Sequence, residues 1–212
     1  MFFVVNTYSA LGGDNGVKKE ETKRALISSA IRVIARDGLD KTTTRSIATD
    51  ANLNEVYIYR IFENKDELLC EMFDMLDDEL VTEVLARLPV MNINGMDFES
   101  KARILFFFCW KFMLGNSDKC ISFIRYYYSP YFKKYSYDEH IRRYQGVIEK
   151  ISPAFCENSN VWMLFNHVLS TMLNFAVKVF NGDIGDNDDT SEHVFRVVYF
   201  SINQYLKPEK VG

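Results

Sequence analysis

The chain has 212 residues, 48% apolar and 15% aromatic, with a formal net charge of −4. That much apolar side chain closes a sizeable core, and an acidic chain is no general polyanion binder, so nucleic-acid affinity would need a local basic patch. Cys70, Cys109, Cys120 and Cys156 fit neither zinc-site nor secreted-disulfide spacing, and His140, His167 and His193 are isolated, so neither metal nor cofactor is expected.

Residues 1–17 combine a short apolar start with Gly12, Gly13, Asp14, Asn15 and Gly16, which reads as a flexible leader. MFFVV has no basic residue near it and is too short for a signal-peptide core. The apolar run LFFFCW is shorter than a spanning helix and lies between Arg103 and Lys111, so a cytoplasmic protein with no membrane segment is expected.

From Thr22 onward the pattern is helical. Leu26, Ile27, Ala30, Ile31, Ile34 and Ala35 share one face of a first helix that Gly38 ends. Thr44 is placed to cap a short second helix with Ile47, Ala48 and Ala51 inward. Asn52 stands where a turn needs a left-handed residue. Asn54 then caps a third helix, anchored by Ile58 and Phe62, with Glu55, Val56, Tyr57 and Arg60 outward. Two short helices joined this way form a helix-turn-helix, whose second helix fits the major groove. Asn64 and Glu67 make a capping-box-like start for a long fourth helix that ends near Pro89.

The spacing of Thr22, Ala30, Gly38, Thr43, Thr44, Ile47, Ala48, Ala51, Tyr59, Phe62, Lys65 and Leu68 resembles the amino-terminal domain of the TetR family of bacterial transcriptional regulators. The resemblance implies an all-α homodimer. A three-helix helix-turn-helix DNA-binding domain over 18–65 would precede a helical ligand-binding and dimerisation domain over 66–212. It further implies that Thr44, Arg45 and Lys65 lie near DNA phosphate, and that Tyr57, Tyr59 and Arg60 lie on the recognition helix. Asn52, Leu53 and Asn54 replace the common Gly-Val-Ser of the turn, and Val56 and Ile61 also depart from the family pattern. Glu55 is unfavourable near phosphate unless it accepts from a cytosine amino group or pairs with a neighbour such as Arg60. Charge agrees in part: 18–66 hold 10 Lys and Arg against 8 Asp and Glu, whereas 67–212 hold 15 against 20. Lys18, Lys19, Lys23 and Arg24 would supply a basic patch or merely a solvated helix face.

The rest reads as helices near 98–115, 119–128, 138–151, 160–180 and 190–206. The last two are apolar on more than one side and therefore need more than one partner. A four-helix bundle from two subunits supplies it, as the resemblance implies, and a twofold dimer suits a near-palindromic operator. Phe106, Phe107, Trp110, Phe123, Tyr126, Tyr127, Met163 and His167 either converge on a cavity for a small apolar or aromatic effector or simply fill the core. An organic cation held by aromatic faces is a further option. No phosphate loop, nucleophile elbow or Ser/His/Asp pattern suggests an enzyme. The sequence thus points to a ligand-controlled regulator, more often a repressor, with a helical ligand-binding or protein-interaction module that has lost DNA binding as the alternative.

Overall fold

The computed structural model describes residues 11–208, and the side chains of 11–15 and 17 are excepted. Each stretch with helical apolar spacing forms a helix: α1 Leu11–Asp37, α2 Thr44–Asp50, α3 Val56–Phe62, α4 Lys65–Arg87, α5 Phe98–Leu114, α6 Ser117–Tyr127, α7 Tyr137–Ile151, α8 Val161–Phe180 and α9 Asp188–Ile202. The β pairing among the described residues is the isolated Phe155–Leu206 bridge.

The structure changes the leader reading. Residues 11–17 are the opening turns of α1, with Gly12, Gly13 and Gly16 inside a helix, while residues 1–10 lie outside the described residues. Helix propagation from the strong run after Lys18 carries the chain through glycines that would not start a helix themselves. The chain divides into two compact units between Phe73 and Asp74, inside α4 rather than at the 65/66 boundary. The first turns of α4 belong to the earlier unit because Leu68, Leu69, Met72 and Phe73 are wholly buried in its core.

In that unit α1 presents Leu26, Ala30, Val33 and Ile34, all fully buried, and α2 and α3 add Ile47, Ala48, Ile58 and Phe62. Gly38 leaves α1 at a φ of 93°, a conformation a side chain resists. A polar clamp fixes α2 on α1. Asp50 accepts from Ser29 at 2.6 Å and from Arg32 at 2.7 Å, and it pairs with Arg36 at 3.3 Å. Burial pushes the Asp50 carboxyl up, but the donors outweigh it and hold it below the usual value.

In the second unit α5 packs on α8 and α9, and α6 and α7 pack on α8. Asp77 of α4 is fully buried, with its carboxylate 3.0 Å from His140 Nδ1 and 2.7 Å from the Arg143 guanidinium. Pro89 ends α4 through a 3-10 turn over Leu88–Asn92. A π-turn at Phe132–Ser136 joins the Pro130 break to α7. Helix α8 is long and apolar enough to cross a membrane by length and composition, a feature the LFFFCW run did not reveal. Leu164, Leu169, Met172, Leu173 and Ala176 of α8 are buried within the unit.

Candidate nucleic-acid interface and ligand cavity

The helix-turn-helix is built from caps. Thr43, not Thr44, caps α2: its hydroxyl accepts from Ser46 N–H at 3.0 Å, and Ser46 Oγ accepts from Thr43 N–H at 2.9 Å. Asn52 takes the turn at a φ of 54°, and Leu53 N–H closes it on Ala48 O at 2.9 Å. Asn54 Oδ1 accepts from Val56 N–H at 2.9 Å, so its side chain satisfies the start of α3 although the helix itself begins at Val56. Asn64 does the same for α4 by accepting from Glu67 N–H at 3.0 Å.

With Ile58 and Phe62 fully buried, the other side of α3 faces water, and Val56, Tyr57 and Tyr59 are 66%, 39% and 54% exposed. Arg60 and Arg45 are also exposed, and neither forms an ion pair among the described residues. Thr44 is engaged within the protein instead: its hydroxyl donates to Glu55 Oε1, and Tyr59 OH lies 3.4 Å from that same oxygen. Glu55 is therefore partnered by Thr44 and Tyr59 rather than by Arg60. Lys65 donates to Thr42 O at 2.9 Å, tying the α1–α2 loop to α4 while leaving two ammonium donors. Of the basic residues near the start of α1, Lys23 pairs with Glu71 and Arg24 pairs with Glu20, whereas Lys18 and Lys19 are exposed.

The second unit contains a cavity of about 440 Å³, within the size range of small-molecule sites. Its wall is largely aliphatic, with Leu80 and Val84 from α4, Leu105 from α5, and Leu164, Val168 and Met172 from α8. Phe106, alone of the aromatic and polar residues singled out from sequence as ligand contacts, lines it. The others have other partners. Trp110 is buried with Nε1–H donating to Ser191 Oγ at 3.0 Å. Phe123 stacks on Tyr127, and Tyr126 OH lies 3.1 Å from Ser136 Oγ. Tyr127 OH donates to Asn166 at 3.3 Å. Met163 is 57% exposed, and the exposed His167 ring nitrogen Nε2 lies 2.9 Å from Ser201 Oγ. The polar atoms of Trp110, Tyr126, Tyr127 and His167 are thus engaged by the protein itself.

The ionisable lining residues are Asp97, Lys101, Lys150, Cys109 and Tyr199, which sequence spacing did not single out. Burial pushes the Cys109 thiol up to about 11, so it remains a protonated wall atom. Tyr199 is also held above its ordinary value, first by burial and then by the charges of Glu99 and Asp97. Asp97 caps α5, accepting from Ser100 N–H at 2.8 Å and Oγ–H at 2.6 Å, and these bonds hold its carboxyl low.

Comparison with known proteins bears on both units. Residues 26–72 match the family described as bacterial regulatory proteins, tetR family. A 96-residue stretch is 28% identical to the nicotine-responsive transcriptional repressor HdnoR of Paenarthrobacter nicotinovorans, covering 45% of this chain and 47% of that protein. Another match, of 53 residues at 43% identity, is to the probable acrEF/envCD operon repressor of Escherichia coli K12, covering 25% of this chain and 24% of that protein. The chain thus spans about half the length of the first relative and about a quarter of the second. In fold it is similar to a TetR family transcription regulator from Marinobacter aquaeolei VT8, with a TM-score of 0.71 at 15% identity over 88% of this chain and 97% of that one.

Proposed function

We propose, because the chain belongs to the TetR family of bacterial regulatory proteins by its residues 26–72, that it is a cytoplasmic, sequence-specific DNA-binding repressor controlled by a small molecule. The observation that carries the DNA reading is the outer face of α3. Tyr57, Tyr59 and Arg60, which has no ion pair among the described residues, stand out from a helix whose other side is locked by Ile58 and Phe62. Such a helix offers a guanidinium to guanine edges or phosphate, and the exposed Arg45 at the start of α2 offers a second one to the backbone. Thr44 and Lys65 support this surface chiefly by positioning, Thr44 through Glu55 and Lys65 through the Thr42 carbonyl.

The effector reading rests on the cavity of the second unit. A ligand there would act by preferring one of two conformations of a dimer, and α4 is the covalent route from the cavity wall to the reading head. The dimer itself would form on α8 and α9, where Met163, Val197 and Phe200 are more than half exposed and await a second copy.

The direct test is fluorescence anisotropy of the purified chain with DNA from upstream of its own gene, beside a scrambled duplex, at two salt concentrations. Tight binding that prefers the native sequence and weakens steeply with salt is the expected result. Equal, weak binding to that duplex, its scramble and a library of genomic fragments would replace the repressor reading with a helical module that does not read DNA.

A further inference from the structure

Resting on the reading of the second-unit cavity as an effector site, we infer that its ligand is an anionic amphiphile: a long apolar chain ending in a carboxylate or another anionic group received by Lys101 and Lys150. The inference comes from the imbalance of charge around an otherwise largely apolar void. Three lining side chains carry full charge, and they differ in what already holds them. Asp97 is engaged at the first turn of α5, where Ser100 N–H and Oγ–H each donate to one of its oxygens. Lys101 is half-buried and Lys150 exposed at the lining, and neither ammonium makes an ion pair within 4.0 Å among the described residues. The lining thus carries two cations and one anion, and among the described residues neither cation is ion-paired while the carboxylate serves as the α5 cap.

That arrangement discriminates among head groups on a shared chain. Burying the hydrocarbon rewards any long apolar ligand in proportion to the area removed from water. An anionic head adds charge-assisted hydrogen bonds from the two ammonium groups, which a neutral alcohol forgoes and a cationic head turns into repulsion. Phe195 in that wall already carries the Arg103 guanidinium over its ring, 4.3 Å from the centroid, and packs on Phe106 at 5.4 Å, so this pair offers no free face to a cationic head. A free long-chain carboxylate and an acyl chain attached to a phosphorylated carrier present the same chemistry at this wall.

The experiment is calorimetric titration of the 212-residue chain, without DNA, with palmitate, palmitoyl-coenzyme A, hexadecanol and hexadecylamine below their aggregation limits. At least one anionic ligand is expected to bind roughly tenfold or more tightly than hexadecanol, and which one does so identifies the source. Lys101→Gln and Lys150→Gln should each weaken that ligand about three- to tenfold, and the double variant should bind it no better than hexadecanol. Ala102→Phe, which fills the cavity wall, should weaken every chain alike. Equal affinity for palmitate, palmitoyl-coenzyme A and hexadecanol, preference for the amine, or indifference to both lysine exchanges overturns the inference while leaving the cavity an effector site. Failure of all four ligands to bind, with melting temperature unchanged by each, overturns the inference together with the effector reading beneath it.

Discussion

Arg60 is the single side chain on which the DNA reading leans most. It is exposed on α3 and forms no ion pair among the described residues, which suits its charge to an incoming duplex. Arg60→Ala is expected to weaken specific operator binding roughly ten- to a hundredfold while leaving the melting curve in place, a combination that anisotropy and circular dichroism read together. An equal loss on scrambled DNA would place Arg60 on phosphate rather than on a base. Just past the same end of that helix, Glu63 is held at a φ of 51°, a region where a side chain costs free energy and glycine does not. Glu63→Gly should therefore stabilise the head by about 0.5–1 kcal/mol, seen as a higher denaturant midpoint. A fall in the midpoint would show that the Glu63 side chain contributes more than its backbone strain costs.

At the scale of elements, the contact that makes α1 and α2 one body is the Asp50 clamp on Ser29, Arg32 and Arg36. Asp50→Asn removes the charge from three charge-assisted or hydroxyl contacts and should cost about 1–2 kcal/mol. The pH dependence has a defined sign: because folding lowers the Asp50 carboxyl, its contribution is present at neutral pH and is lost as pH falls below about 4. Melting temperatures of wild type and Asp50→Asn should converge in that acid window, and a constant gap down to about pH 2 would remove Asp50 as the cause. Helices were legible in the sequence wherever a cap and an apolar period coincided, as at Asn64. Between two adjacent threonines the cap went to Thr43, since Ser46 three residues on can reciprocate, whereas Thr44 would have met Ile47. The π-turn at Phe132–Ser136 had no periodic signature to betray it. The cavity was illegible for a deeper reason: a void is defined by atoms that do not meet, and its wall of Leu80, Leu105 and Met172 reads in sequence like any core. Trp110 and Tyr126 read as aromatic candidates for a cavity wall, yet their polar atoms meet Ser191 and Ser136 inside the unit.

For the whole molecule, the decisive quantity is subunit number, because one reading head on one half-site is a weak binder whatever its base contacts. Helices α8 and α9 bury one side within the unit and leave Met163, Val197 and Phe200 at 57%, 51% and 59% exposure, a cost that a solitary chain would have little reason to carry. A second copy placed there covers these side chains and couples two α3 helices, and linkage of two sites raises overall affinity by a factor on the order of a hundred to ten thousand. Val197→Glu combined with Phe200→Glu puts like charges on each face of that contact and should yield monomers by sedimentation at micromolar concentration. The same variant should lose operator affinity by a comparable factor even though the Asp50 clamp and the α3 surface are untouched, so binding to an isolated half-site should stay at the wild-type level. A double variant that sediments as a dimer would move the interface off α8 and α9. One that is monomeric yet binds the full operator normally would show that the head reads DNA as a single copy.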